Sequence, residues 1–235
     1  MGTGRSRLRK MSAEDFAKAG VTSMNVDVSK FKIYRDNAQV DADHWDATNE
    51  FMKNAKKEGL VSAIRAYTGN AYYDMNAMSR RDEYKEVSTE DMIKDLQKNY
   101  PGSDTVQRII NVHKALSHSE VPVAFTAYRG SDSDLLVGYS GASFEAMKAM
   151  EGEIVRDTGN MSTSMVPGRE FSRPVQYTVY FPAGKGIGAN IMGFSAFGSG
   201  EGEFLTNNGA MFKVLSVKKG KYHDTKVELV WVGRY

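Results

Sequence analysis

The chain has 235 residues, of which 41% are hydrophobic and 26% charged, enough for one globular domain with an appended arm. The net charge of +2 gives no electrostatic case for a nucleic-acid or membrane partner. There is no cysteine, which excludes disulfides and thiol chemistry; His113 and His118 lack metal-ligand spacing, so no metal is expected.

Residues 1–12 are basic and glycine-rich with no apolar run behind them, so they read as a flexible basic terminus and not as a signal peptide. No stretch is long and apolar enough for a transmembrane helix. Gly2 and Ser6 match the myristoylation pattern only formally. Residues 13–60 read as a helical N-terminal extension. A short helix opens at Ala13–Phe16, and Asp41 to Lys57 carries Trp45, Phe51 and Met52 among charged residues, stopping at Gly59.

Residues 61–235 form the main domain. A helix from Leu60 to Tyr67 leads into a stretch where Tyr72, Asn76 and Arg80 recur every four residues and share one helical face. An aromatic, an amide and a cation so placed suit a nucleotide, but local packing and pairing explain them more simply when taken alone. Ser88-Thr-Glu-Asp91 fits a capping box for a helix reaching about Asn99, ended by Tyr100-Pro101-Gly102. Asp104 to Leu116 is a third amphipathic helix, with Val106, Ile109, Ile110 and Leu116 apolar.

Strands then take over: Val121 to Tyr128, closed by Arg129-Gly130; Asn160 to Ser164; Val175 to Phe181; Ala210 to Val217; and Val227 to Val232. Helices first and strands after give an α+β fold with an antiparallel-type sheet. Gly184-Lys-Gly-Ile-Gly188 lacks phosphate-loop spacing and reads as a turn.

Between the last strands lies a glycine-rich loop with Phe194 and Phe197, followed by Glu201 and Glu203. On a strand the two acids point the same way, with Cβ atoms roughly 6–7 Å apart. Carboxylates that close need a cation, a proton or a cationic transition state to take up their charge. By itself the pair is a weak signal, equally met by solvated acids on a strand edge.

Four pieces occur in fixed order: Tyr67-Thr-Gly-x-x-Tyr72-x-x-x-Asn76-x-x-x-Arg80, then Tyr128-Arg129-Gly130, Ser162-Thr163-Ser164, and Glu201-x-Glu203. Together they resemble the R-S-E class of mono-ADP-ribosyltransferases. Within it, the chain is similar to the bacterial exoenzyme-toxin family that includes actin-modifying binary toxins and arginine-modifying type III effectors. The resemblance covers roughly residues 60–232 and rests on the joint order of motifs that are each weak.

The resemblance implies a mono-ADP-ribosyltransferase fold with two small packed sheets and an NAD cleft between them, and transfer of ADP-ribose from NAD as nicotinamide leaves. Breaking that bond builds positive charge on the ribose, as in glycoside hydrolysis. The resemblance makes Glu203 the acid that stabilises this cation, Ser162 its orienting partner, and Arg129 the phosphate grip. Gly130, Thr163 and Ser164 line the cofactor site, and Tyr72, Asn76 and Arg80 meet the phosphate and adenosine end. Arg169 and Phe171 fall in the loop over phosphate and nicotinamide.

In this class E-x-E goes with arginine acceptors and Q-x-E with asparagine or guanine. A second carboxylate, Glu201, can bind a guanidinium and help remove its proton. The expected partner is therefore a protein modified on arginine; actin, a small GTPase and a bacterial protein such as RNA polymerase all fit. Phe197 is a candidate for target contact. The resemblance implies a toxin or effector acting inside a target cell after injection or other delivery. The alternatives are an NAD glycohydrolase with water as acceptor and a silent binding module, whose signature, loss of Arg129 or Glu203, is not met. A glycosidase lacks a sugar-binding aromatic pattern, and the first sixty residues fit no motif.

Overall fold

A computed structural model describes residues 9–10, 26–137, 141–196, 200, 202–221 and 224–235. The short helix expected at Ala13–Phe16 lies outside them. Helix α1, Asn37–Lys57, starts where the Asp36 carboxylate accepts from the Gln39 amide at 2.9 Å, which satisfies an otherwise orphaned N–H. Helix α2, Val61–Ala66, runs through a π-turn at Tyr67–Ala71 into α3, Tyr72–Ser79, and the path breaks at Gly69 (φ −83°, ψ −122°). Helix α4, Thr89–Asn99, begins at the expected cap, where Ser88 Oγ accepts from the Asp91 amide at 3.1 Å. Helix α5, Asp104–Ser117, follows as its 3.6-residue apolar period requires.

The strands are β1 (Arg9–Lys10), β2 (Glu120–Val121), β3 (Phe125–Ser131), β4 (Ile154–Asp157), β5 (Ser162–Ser164), β6 (Val175–Phe181), β7 (Gly184–Lys185), β8 (Gly188–Asn190), β9 (Glu203–Thr206), β10 (Ala210–Lys219) and β11 (Thr225–Arg234). The run expected from Val121 to Tyr128 is split after Val121, where Pro122 has no N–H to donate. Its first part pairs with β7, and its second enters the main sheet. Strand β4 and two short helices, Asp134–Val137 and Phe144–Lys148, carry no period long enough to be seen in sequence.

Among the described residues, nine strands form one sheet in the order β1-β4-β10-β11-β6-β3-β5-β9-β8, antiparallel except where β11 runs parallel to β6. The two sheets expected from sequence are thus two halves of one hydrogen-bonded sheet. Seven residue pairs join β3 to β6, but β3 meets β5 only at Tyr128↔Ser164, which leaves the halves free to fold face to face. Phe204 of one half packs on Phe125 and Phe181 of the other, with ring centroids 5.0 and 4.8 Å apart. The helices cover the β8–β9 half, where Ile64, Met75, Leu96 and Ile109 pack with Ile191 and Leu205. Helix α1 joins this core through Phe51, edge-on to Phe194 at 5.8 Å.

Candidate active site

The seam between the sheet halves opens into a cleft of about 500 Å³, walled on its helical side by the π-turn and α3. Arg129 and Gly130 of β3, Ser162 of β5 and Glu203 of β9 line it. A neck of about 40 Å³ continues from it between β3, Thr163-Ser164 and Phe171, and shares Arg129, Ser162 and Glu203 with the cleft.

Glu203 opens β9 and is 5% exposed. Ser162 Oγ donates to its Oε1 at 2.7 Å, fixing a carboxylate where a developing positive charge would gain most from it. Arg129 Nη1 donates to the Ser162 carbonyl at 2.6 Å, while its buried Nε finds no hydrogen-bond partner among the described residues. Burial holds this guanidinium below its ordinary pKa, opposed by the nearby Tyr67 hydroxyl. Arg129 lines the cleft as a desolvated cation with planar N–H donors, which fits an anionic ligand with oxygen acceptors.

Gly130 is required by close approach. A Cβ there would stand 1.6 Å from the Phe171 carbonyl oxygen, so only glycine lets the Phe171 segment lie across β3. The Phe171 ring itself is 68% exposed at the lip of cleft and neck.

Tyr72, Asn76 and Arg80 line the cleft, as their shared face predicts. Asn76 and Arg80 are also bound into its wall. Asn76 donates to the Tyr67 hydroxyl at 3.0 Å and accepts from the Asn160 amide at 2.9 Å. Arg80 makes a buried two-pronged ion pair with Asp157, at 2.7 and 2.8 Å, and donates to the Asn160 carbonyl. The helical face therefore anchors the turn that delivers Ser162 as well as lining the cleft. Gly159 in that turn leaves no room for a Cβ, which would meet Asn76 Oδ1 at 2.6 Å.

Thr163 and Ser164 line the neck only; Thr163 donates to the Phe204 carbonyl at 3.3 Å and Ser164 to the Val166 carbonyl at 2.8 Å. Arg169 lines neither cleft nor neck; its Nη1 donates to Asn37 Oδ1 at 2.7 Å and to the Gly200 carbonyl at 3.0 Å. Glu201 and Phe197 lie outside the described residues.

Sequence reasoning missed Asp157 and Asn160, whose partners stand some eighty residues away, and Arg173, which lines the cleft two residues beyond Phe171. It also missed Tyr73, whose exposed ring lies 4.0 Å from that of Tyr72 at the cleft wall. Only the charge of Arg173 and the aromatic doublet could have pointed to them. Among the described residues, no group of three or more His, Cys, Asp or Glu side chains is placed to hold a metal ion, and no helix is long and apolar enough to cross a membrane.

The family model described as ADP-ribosyltransferase exoenzyme matches residues 42–231. Among solved structures, the chain is similar to C3stau2 from S. aureus, solved with NAD: 21% identity over 87% of this chain and 100% of that one, TM-score 0.63. It is also similar to Plx2a, an ADP-ribosyltransferase toxin from Paenibacillus larvae: 20% identity, 86% of this chain and 99% of that one, TM-score 0.61. A third is the enzymatic component C2-I of the C2 toxin from Clostridium botulinum: 19% identity, 86% of this chain and 48% of that one, TM-score 0.59. At these identities the likeness speaks for the fold. No curated protein matches the sequence significantly.

Proposed function

From the premise that the chain belongs to the ADP-ribosyltransferase exoenzyme family, we propose that it transfers ADP-ribose from NAD to an arginine side chain of a protein target. The observation that carries this reading is the pairing, in one cleft, of a buried carboxylate held by Ser162 with a desolvated Arg129 whose Nε is unpartnered. NAD has the matching chemistry, a pyrophosphate at its middle and a ribose that becomes cationic at one end. Arg129 and Arg173, which both line the cleft, take the pyrophosphate through planar N–H donors. The exposed ring of Phe171 at the lip of cleft and neck suits a flat aromatic leaving group.

The ribose–nicotinamide bond breaks with its electron pair leaving on nicotinamide. Glu203 then accepts a hydrogen bond from a ribose hydroxyl and stabilises the cation. The guanidinium nitrogen of the acceptor bonds to the ribose carbon, and its proton passes to a base. Glu201, two residues before Glu203, is the candidate base and the reason to expect arginine. Such an activity suits a toxin or effector delivered into a target cell.

Labelled NAD with agmatine as a free guanidinium acceptor tests the reading. Label on agmatine is expected, Glu203→Gln should abolish both transfer and nicotinamide release, and Glu201→Gln should abolish transfer while NAD hydrolysis continues. Hydrolysis with no labelled acceptor would make the protein a glycohydrolase, and full activity of Glu203→Gln would overturn the catalytic assignment.

A further inference from the structure

The cleft and the neck share β3, and the way they divide it gives the cleft a direction. Tyr128, Arg129 and Gly130 line the neck; Arg129, Gly130, Ser131 and Asp132 line the cleft. Along this strand the cleft therefore leads away from the neck. At about 3.3 Å per residue, Asp132 stands roughly 10 Å beyond Arg129. On the facing wall, Gly69, Tyr72 and Tyr73 also line the cleft and not the neck. The charges follow the same order. Glu203 and Arg129 border both spaces, while Arg173 and Asp132 border the cleft alone. Arg80 is committed to Asp157. Among the described residues, the carboxylates lining the cleft are Glu203 and Asp132, and they are differently placed. Glu203 is buried and held by Ser162. Asp132 is exposed, and its carboxylate makes no hydrogen bond or ion pair among the described residues. Its backbone is held. The Asp132 carbonyl accepts from the Tyr177 hydroxyl at 3.5 Å, and the next residue, Ser133, is buried with its hydroxyl accepting from the Ala142 amide at 2.9 Å.

We propose that Asp132 makes the site select NAD against NADP: its carboxylate accepts a hydrogen bond from the 2′-hydroxyl of the adenosine ribose and repels the 2′-phosphate that replaces this hydroxyl in NADP. This inference rests on the reading of the cleft as an NAD site. With the nicotinamide ribose at Glu203 and the pyrophosphate at Arg129 and Arg173, the adenosine half is left for the end of the cleft that leads away from the neck, where Asp132 stands. NAD and NADP differ there alone, by a neutral donor in one and a phosphate in the other. A carboxylate is an acceptor only, so it suits the hydroxyl and opposes the phosphate. Acidic side chains play this part in other dinucleotide sites of unrelated fold. The cations of the cleft do not cancel the effect. Arg80 is spent on Asp157, and the pyrophosphate occupies Arg129 and Arg173, which leaves Asp132 as the charge that meets the 2′ position.

The test measures calorimetric affinity, and kcat/KM for nicotinamide release, with NAD and NADP on wild type, Asp132→Asn and Asp132→Ala. Wild type should prefer NAD by about 100-fold or more, the combined effect of a gained hydrogen bond and a like-charge clash. Asp132→Asn keeps the size of the side chain and removes its charge. The preference should shrink to less than about tenfold, with NADP gaining outright, a change that a loosened or misfolded cleft would not give. NAD lacking the adenosine 2′-hydroxyl isolates the hydrogen bond. Wild type should bind it about 10- to 100-fold more weakly than NAD, as expected for a hydrogen bond to a charged group, and Asp132→Ala should bind the two alike. An Asp132→Asn protein that still rejects NADP, or a wild type that binds both dinucleotides alike, would overturn the inference. Binding of NAD without turnover would sink the transferase reading, and calorimetry would still decide the role of Asp132. Binding of neither dinucleotide would remove both.

Discussion

Ser162 Oγ donates to Glu203 Oε1 at 2.7 Å although the β5–β9 register sets Glu203 opposite Ser164 and Ser162 opposite Leu205. The bond is a diagonal one, across the face shared by positions two apart on neighbouring strands. It depends on the pairing of two short strands and on Glu203 being 5% exposed, where water does not compete for the carboxylate.

Ser162→Ala should therefore reduce kcat for NAD cleavage without emptying the cleft. A hydrogen bond to a charged group is worth roughly 1.5–3 kcal/mol, or about 10- to 100-fold in rate if it is lost only from the transition state. Steady-state kinetics of nicotinamide release would show kcat falling within that range and KM for NAD changing little. An unchanged kcat would mean that β9 alone positions Glu203.

Arg80 and Arg129 both line the cleft, and the structure separates their roles. Arg80 is committed to Asp157 with both partners buried, and removing one partner of such a pair costs about 3–5 kcal/mol. Arg80→Gln should lower the unfolding free energy by that order. Arg129→Lys keeps a charge near the cleft and loses the planar fork, so stability should stay within about 1 kcal/mol while NAD affinity drops at least tenfold. Urea unfolding and calorimetric NAD titration on both variants check the contrast. A stable Arg80→Gln protein with lost NAD binding would return Arg80 to the ligand.

The sequence carried the local half of this arrangement. The capping box at Ser88, the helical face of Tyr72, Asn76 and Arg80, and the alternation in Val175–Phe181 depend on near neighbours, and the structure keeps them all. What the helical face does is not local. Arg80 reads as a phosphate ligand until Asp157 is placed against it, and Asp157 sits on a four-residue strand with no readable period. Arg169 shows the same limit, since its partners Asn37 and Gly200 lie 132 and 31 residues away along the chain. Ser162 and Glu203 could be paired in advance only through the order of motifs, because 41 residues separate them.

Gly130→Ala should disable the site through the backbone. The added Cβ would stand 1.6 Å from the Phe171 carbonyl oxygen and 2.7 Å from its carbon, and neither is the movable end of a side chain. The Phe171 segment must then lift from β3, with an overpacking cost of roughly 1–3 kcal/mol. NAD turnover should fall by about 100-fold or more if the displaced segment no longer orders the leaving group. Near-normal turnover in Gly130→Ala would show that the approach of Phe171 is dispensable.

Stability should also fall in mild acid, well before most carboxylates protonate. His44 is 2% exposed, with Nε2 2.8 Å from the Tyr34 hydroxyl, and burial lowers its pKa to about 4; Asp43 beside it pulls the other way. His113, on α5, is likewise lowered to about 4 by burial, with the Arg234 charge adding to the effect. Against an unfolded value of about 6.5, each depressed pKa means that the unfolded chain binds the extra proton between pH 6.5 and 4. The stabilisation is complete above pH 6.5, is lost as pH falls through that window, and changes no further below it. Between pH 7 and pH 5 each histidine should remove roughly 2 kcal/mol of unfolding free energy. Urea titrations at the two pH values measure the sum, and His44→Gln should shrink the drop by about half. A drop of the same size in His44→Gln would show that His44 titrates normally in the folded protein.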